Sequence, residues 1–306
     1  MSLASKIQKR AQALKQARTF FIDRSIHEVD CSVITSSGSI DEHIDLFTVH
    51  SPIHGKRYLV SSPEYQMKRM LASGSGDIFF LGHVFRDEHA GMHHTPEFLM
   101  AEWYRIGFTF DQMIEETFQF CELFTGKREK LFFTYQEAFQ HYLNIDPFNA
   151  SLKDLHSVCP QNIPLNCTRD DLLNLLVSLH IQPAFPKEAL TVLTHYPASQ
   201  AALARHTTLN NHAVAERFEV FCHGLELANG FHELNDPKEQ KKRFSADNAK
   251  REKQGKQPYP IDEQFTQSLS TLPDCSGVAV GVDRLIMLKE QAKHMDEIYP
   301  LSWTSV

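Results

Sequence analysis

The segment GLELANGFHELND, residues 224–236, sets Glu226, Glu233, Asp236 and Asn229 among Leu225, Leu227, Ala228 and Phe231. Carboxylates are rarely interleaved so closely with large apolar side chains unless a cation pairs with them. Two carboxylates about one hairpin apart suit Mg²⁺, which takes few protein oxygens and is usually shared with phosphates. Other carboxylates suit the ammonium groups of a basic small molecule, and arginines suit phosphate oxygens. Strand alternation gives these residues faces. In PEFLMAEWYR it puts Phe98, Met100, Glu102 and Tyr104 on one face, and in VFRDE it does the same for Arg86 and Glu88. RFEVFCHGLELANGF reads as a hairpin turning at His223-Gly224. With a two-residue loop, Phe221 pairs with Glu226, Glu219 and Glu226 share a face, and Ala228 lies opposite Glu219. One sheet face then gathers Arg86, Glu88, Glu102, Glu219 and Glu226, with Phe98 as an aromatic plate. That is a site for a nucleotide triphosphate, Mg²⁺ and a cationic substrate. A salt-bridge cluster on a sheet would give a similar pattern.

The elements that position these residues follow from periodicity. Residues 4–23 carry Ile7, Ala11, Leu14 and Phe21 at helical spacing. A strand-like HEVDCSVIT follows. Ser62-Pro63 is an N-cap and first-turn pair opening a helix to about Leu71. Asp77–Arg86 and PEFLMAEWYR read as strands joined by the His-rich loop HAGMHHT, and Phe110, Ile114, Phe118 and Cys121 mark an amphipathic helix. Residues 142–190 are mixed, with a helix around DDLLNLLVSL. Asp236-Pro237 starts a long polar helix to about Gly255, and SGVAVGV is a strand running into a helix at DRLIMLKE. Strands paired as hairpins, then helices, predict an antiparallel α+β fold.

The chain of 306 residues is 42% hydrophobic and 23% charged, ordinary globular composition. It has no apolar run long enough for a transmembrane helix and no apolar core of a secretory signal near its N-terminus. Its six cysteines (Cys31, Cys121, Cys159, Cys167, Cys222, Cys275) form no CxxC pair. They read as reduced cytosolic thiols rather than a disulfide frame or a zinc site. A net charge of −7 argues against polyanion binding by the chain as a whole. Two local runs are basic, residues 6–18 and 238–256, and read as solvated helix faces or as docking surfaces for an acidic partner.

At this point the residues resemble a known family. FRDE followed by HTPEF is similar to motif 2 of class II aminoacyl-tRNA synthetases, and SGVAVGVDRL to motif 3. RFEVFCHGLELANGFHELND and SSPEYQMKRML resemble the lysine-specific subgroup. Within it, the chain resembles the paralogues that attach (R)-β-lysine to a lysine of elongation factor P. It starts at the catalytic domain without an anticodon-reading OB-fold, has HYPASQAALA, and has Ala279 where lysyl-tRNA synthetases have glycine. Ser32 stands where motif 1 carries proline, and Met92 where this group carries arginine.

The resemblance implies a single catalytic domain over 1–306, with an antiparallel sheet flanked by helices. It implies ATP and Mg²⁺ as cofactors, a cytoplasmic homodimer, elongation factor P as protein acceptor and no role for tRNA or membrane. It assigns Arg86 to the α-phosphate and substrate carboxylate, Phe98 to adenine with Glu88 and His94 nearby, and Arg284 to the γ-phosphate. Glu219 and Glu226 would carry Mg²⁺. Glu64, Glu102, Asn229 and Glu233 would surround the substrate's amino groups, with Tyr104 near the side-chain amine and Ala279 beside the α-carbon. One methyl there is worth about 1–3 kcal/mol of discrimination. The chemistry implied is formation of an aminoacyl-adenylate and amide transfer to a lysine. The alternatives are a truncated lysyl-tRNA synthetase acting on tRNA and a non-catalytic paralogue with a regulatory binding role. Taken singly, each residue also has a plainer reading: Glu64 as a helix-dipole partner, Phe98 as core, Glu219 and Glu226 as partners of surface lysines.

Overall fold

The computed structural model describes residues 2–160, 163 and 167–303. In chain order the elements are α1 (Leu3–Ile22), β1 (His27–Glu28), β2 (Ile34–Thr35), β3 (Thr48–Ser51), β4 (Gly55–Leu59), α2 (Glu64–Ala72), β5 (Ile78–Phe85), β6 (Glu97–Ile106) and α3 (Phe110–Thr125). Then come β7 (Lys130–Thr134), α4 (Tyr135–Leu143), α5 (Leu152–Val158), α6 (Arg169–Leu176), α7 (Gln182–Ala184), β8 (Leu190–Pro197), β9 (His206–Leu209), β10 (His212–Cys222) and β11 (Leu225–His232). The chain closes with α8 (Pro237–Lys253), α9 (Glu263–Ser268), β12 (Cys275–Gly281) and α10 (Val282–Glu290). It divides into two compact units, Met1–Gly126 with Glu233–Val306, and Lys127–His232. Each has a mostly antiparallel sheet flanked by helices, as the sequence predicts. No described helix is long and apolar enough to cross a membrane.

In the first unit β5 and β12 pair antiparallel with β6, and β1 adds a short parallel edge to β5. Alternation along β6 decides the layering. Trp103 faces α1 and α3, where the Phe21 ring stacks on Phe79 at 4.3 Å and Trp103 lies 5.2 Å from Phe120. Each such buried aromatic contributes roughly 1.5–3 kcal/mol. The Trp103 indole N–H donates to Glu116 Oε1 at 2.9 Å. Its neighbours Glu102 and Tyr104 therefore point to the opposite face. There Ser62 and the helix α2 meet them, with α2 held against α9 by the stacked Tyr65–Phe265 pair at 4.1 Å. Two expectations need correction. HEVDCSVIT is not one strand but breaks into β1 and β2, because the Gln66 carboxamide takes both the N–H and the C=O of Ser32 (2.7 and 2.8 Å). A proline at 32 would lose one of those bonds. At α2 the N-cap is Pro63, while Ser62 Oγ accepts from the Glu64 N–H at 3.0 Å.

In the second unit β10 lies between β11 and β8, both antiparallel, β9 continues on β10, and β7 runs parallel to β8. Its core joins Tyr135 and Phe139 of α4 and Leu172 and Leu176 of α6 with Leu193, Tyr196 and Phe221 of the sheet. The turn at His223-Gly224 forms as predicted, both residues having positive φ (52° and 72°), the geometry of a two-residue hairpin loop. All six cysteines are unbridged.

Much of the basic charge in the two runs is paired within the chain, at the surface or in the interior. Lys6 donates to the carbonyls of Asp296 and Tyr299, Lys9 pairs with Glu290, and Arg18 with Glu28. The buried Arg251 holds the carbonyls of Asp41 and Ile44 and the carboxylate of Asp45. Near the start of α10, Asp283 is almost fully buried. It accepts from the Leu99 N–H (2.7 Å) and the Tyr299 hydroxyl (2.5 Å) and pairs with Arg10 (2.7 Å). Asp283→Ala should therefore cost about 2–4 kcal/mol, since it leaves a part-buried guanidinium and a buried amide without their acceptor. A urea titration should show a lower midpoint at unchanged slope; an unchanged midpoint would remove Asp283 from the list of structural anchors.

Candidate active site

Three carboxylates and one ammonium group converge on the face of β6 opposite Trp103. The Lys68 side chain is 1% exposed and its Nζ lies 2.7 Å from Glu64 Oε1 and 2.5 Å from Glu233 Oε2. It reaches Glu64 because α2 places residues four apart on one face. Burial pushes the Lys68 amine down, but Glu233 and Glu64 outweigh it and hold the ammonium above the ordinary lysine range. Among the described residues Glu102 has no cation in hydrogen-bond contact. Ser62 Oγ donates to its Oε2 and the Tyr104 hydroxyl to its Oε1, both at 2.7 Å. Burial, then Glu64, raises the Glu102 carboxyl to about 8 despite those donors and Lys68. Burial likewise raises Glu233 to about 8, against the opposing pull of Lys68. Glu233 Oε1 is buried without a hydrogen-bond partner. Cys31 approaches from the segment after β1, its thiol pushed up to about 12 by burial and then by Glu102 and Asp30.

The strand register fixes the walls of this pocket. Ala279 of β12 sits directly across from Glu102, and Gly277 across from Tyr104. A Cβ on Gly277 would lie 2.3 Å from Tyr104 Cε1 and 2.7 Å from Glu233 Oε1, so only glycine leaves room for both side chains. Further along β6, Phe98 is half-buried and carries the Arg86 guanidinium 5.1 Å over its ring, while Arg86 Nε is buried with no partner. β5 ends at Phe85, so strand alternation does not extend to Glu88 as expected; Glu88 and His94 are both exposed on the connecting loop. Arg284, in the first turn of α10, donates from Nε to the His93 carbonyl at 3.3 Å. His93 is held below the ordinary histidine value by burial, then by Arg284, His94 and His294. The exposed Met92 accepts the Met295 N–H through its carbonyl at 2.9 Å.

The remaining predicted residues belong to the second unit. Glu219 Oε2 accepts from the Tyr196 hydroxyl at 2.7 Å, and Oε1 pairs with Arg217 at 2.5 Å. Burial pushes Arg217 down, but Glu219, Tyr196 and, more weakly, Glu226 raise it. Phe221 pairs with Glu226 as expected, but a bulge between Val220 and Phe221 makes Leu227 surplus. Asn229, not Ala228, therefore stands opposite Glu219, and its Oδ1 is buried without a partner. These hard oxygen donors fit a small divalent cation, and the unpaired Arg86 Nε over an aromatic face fits a nucleotide. Among the described residues no three His, Cys, Asp or Glu side chains group as a ready-made metal site. Sequence reasoning missed Lys68, Ser62, Tyr196 and Arg217. Two of them had a signal: Lys68 follows Glu64 by one helical turn, and Arg217 precedes Glu219 by one strand repeat.

Comparison with known proteins adds to this geometry. Residues 1–304 match the family model described as tRNA synthetases class II (D, K and N). Proteins of Salmonella paratyphi B, Salmonella heidelberg and Salmonella enteritidis PT4 are each 41% identical over 301 residues, covering 95% of this chain and 92% of theirs. All three are named elongation factor P–(R)-β-lysine ligase.

The raised carboxyls make stability depend on pH. Glu102 and Glu233 bind protons more tightly folded, at about 8, than unfolded, near 4.5. Their stabilisation is thus fully present below about pH 4.5 and is lost as pH rises through about 8. Urea titrations of the ligand-free protein should show unfolding free energy falling between about pH 5.5 and 8.5, and Glu102→Gln should flatten that fall. An equally steep fall in the variant would place its origin elsewhere.

Proposed function

The chain belongs to the class II tRNA synthetase family of the D, K and N group, and we propose that it is an ATP-dependent ligase that activates (R)-β-lysine and transfers it to a lysine side chain of elongation factor P. The observation that carries the substrate class is the pocket on β6. Glu64, Glu102 and Glu233 outnumber Lys68, which pairs with Glu64 and Glu233, so the cluster has acid to spare for ammonium groups. In this reading Glu64, Glu102 and Glu233 hold the substrate's two amino groups, Tyr104 lies beside the side-chain amine, and Ala279 bounds the α-carbon. Arg86 holds the substrate carboxylate and the α-phosphate in one orientation. Phe98 offers its face to adenine once Arg86 swings off the ring, with Glu88 and His94 flanking the base. Arg284 holds the γ-phosphate, and Glu219 and Glu226 hold Mg²⁺, which when bound offsets triphosphate charge. Residues 1–306 act as one catalytic domain, as a cytoplasmic homodimer.

Activation is attack of the substrate carboxylate on the α-phosphorus, giving the aminoacyl-adenylate and pyrophosphate. Negative charge builds on the phosphoryl oxygens, so fixed guanidinium groups lower the barrier without reorganising. Transfer is attack by a neutral lysine amine on the activated carbonyl, forming the amide and releasing AMP. Only about one in 10³ of such amines is neutral at pH 7, so the acceptor must lose its proton as it docks.

Pyrophosphate exchange tests this directly, with (R)-β-lysine, α-lysine and no amino acid compared. Exchange should be strongest with (R)-β-lysine, and Arg86→Ala should lower it at least about a hundred-fold while leaving the fold intact. Labelled (R)-β-lysine should then appear on elongation factor P and not on tRNA. Preference for α-lysine with transfer to tRNA would make the chain a tRNA-charging enzyme instead, and no exchange with either would make it a binding protein.

A further inference from the structure

Lys68 has a role that the roles proposed above do not absorb. It is a buried ammonium group in a pocket expected to receive ammonium groups, and it contacts two of the three carboxylates there at 2.5–2.7 Å. Its Nζ also lies 5.9 Å from the centre of the Tyr104 ring. The groups facing it are few. Glu64 is on its own helix, Glu102 and Tyr104 are on β6, Glu233 precedes α8, and Asp30 and Cys31 come in after β1. β12 contributes only Gly277 and Ala279, which carry no charge. Asp30 acts on Cys31, and the Cys31 thiol stays neutral.

We infer that Lys68 is a positioning residue that sets the charge of the amino-acid pocket: by bridging Glu64 and Glu233 it cuts three carboxylates to two net negative charges, the complement of a substrate with two ammonium groups. The inference deepens the reading of the pocket as an amino-acid site and rests on it. An amino acid with one ammonium leaves one buried carboxylate that must keep a proton, whereas a diamino acid lets both Glu102 and Glu233 ionise. Selection of diamino over monoamino acids is thereby linked to protons. Between about pH 6 and 8 it should steepen by up to about ten-fold per pH unit, since each additional proton released adds one decade. The alternative is that Lys68 only packs and braces α2, in which case its charge has no bearing on protons or on the number of amines selected.

Calorimetric binding in two buffers of different ionisation enthalpy separates the two. The ligands are (R)-β-lysine, L-lysine and norleucine, and the proteins are the wild type, Lys68→Arg and Lys68→Met. Wild type should release about two protons per diamino acid at pH 7. Lys68→Met should bind diamino acids at least about ten-fold more weakly, retain one more proton on binding, and show its best binding at lower pH. Lys68→Arg, which keeps the charge, should recover the wild-type pH profile. Binding without proton release in the wild type overturns the inference, as does a folded Lys68→Met with an unchanged pH profile. Should Lys68→Met not fold, the wild-type proton count and the Arg variant still decide. Pyrophosphate exchange, run alongside, tells the two levels apart. Exchange with no proton linkage removes the role of Lys68 and leaves the ligase reading, whereas proton-linked binding without exchange does the reverse.

Discussion

A buried carboxylate must be met by a cation, by hydrogen-bond donors or by a proton, and the arrangement around β6 depends on meeting that demand several times within one small volume. Glu64 and Glu233 share the Lys68 ammonium. Glu102 takes two hydroxyl donors and a raised proton affinity. On the other face of the same strand, Glu116 receives the Trp103 indole N–H and faces Arg105 and Arg24 at 3.6–3.7 Å. The aromatic packing of α1 and α3 on that side leaves the carboxylates of the site facing the other way. The strand is thus a partition, with Glu116 and its arginines on one side and the Glu64, Glu102 and Glu233 cluster around Lys68 on the other.

The same demand explains why the ligand-free protein already holds internal partners for its charged groups. In the first unit Lys68 pairs with Glu64 and Glu233 and Arg86 lies over Phe98; in the second, Arg217 pairs with Glu219. A ligand that meets any of these groups exchanges partners with it rather than filling an open charge. Exchange favours the empty protein, because each of the Glu64, Glu102 and Glu233 carboxylates has a cation or hydroxyl donors beside it. It also makes recognition exacting, since an incoming group must match what it displaces in charge and in geometry. A poorly matched ligand gains little, because it breaks an internal pair without replacing it.

Those parts of the fold written in short-range periodicity were legible in the sequence. The alternation of PEFLMAEWYR correctly put Glu102 and Tyr104 on one face and Trp103 on the other, and His223-Gly224 correctly gave the hairpin turn. Helices α1, α2, α3, α8 and α10 fall close to where capping and spacing set them. What was not legible depends on contacts between distant segments. The bulge that brings Asn229 opposite Glu219 has no signature in ELANG, because either register buries apolar residues. The break between β1 and β2 comes from Gln66 on α2, 34 residues beyond Ser32. The partner of Glu233 is Lys68, far back in the chain, and a lysine in a helix reads as surface until a fold buries it.

Gly277 and Ala279 lie two residues apart on the same face of one strand, yet they leave evolution different freedom. At 277 the ring of Tyr104 and a carboxylate oxygen of Glu233 already fill the space of a side chain, so all nineteen alternatives to glycine begin with a collision. At 279 a methyl group is already accommodated opposite Glu102, and trimming or restoring it changes only the volume beside that carboxyl. This strand therefore has one position that tolerates a change of volume and one that does not. A change of volume at 279 is open to substitution, whereas one at 277 must first move the Tyr104 ring and the Glu233 carboxylate.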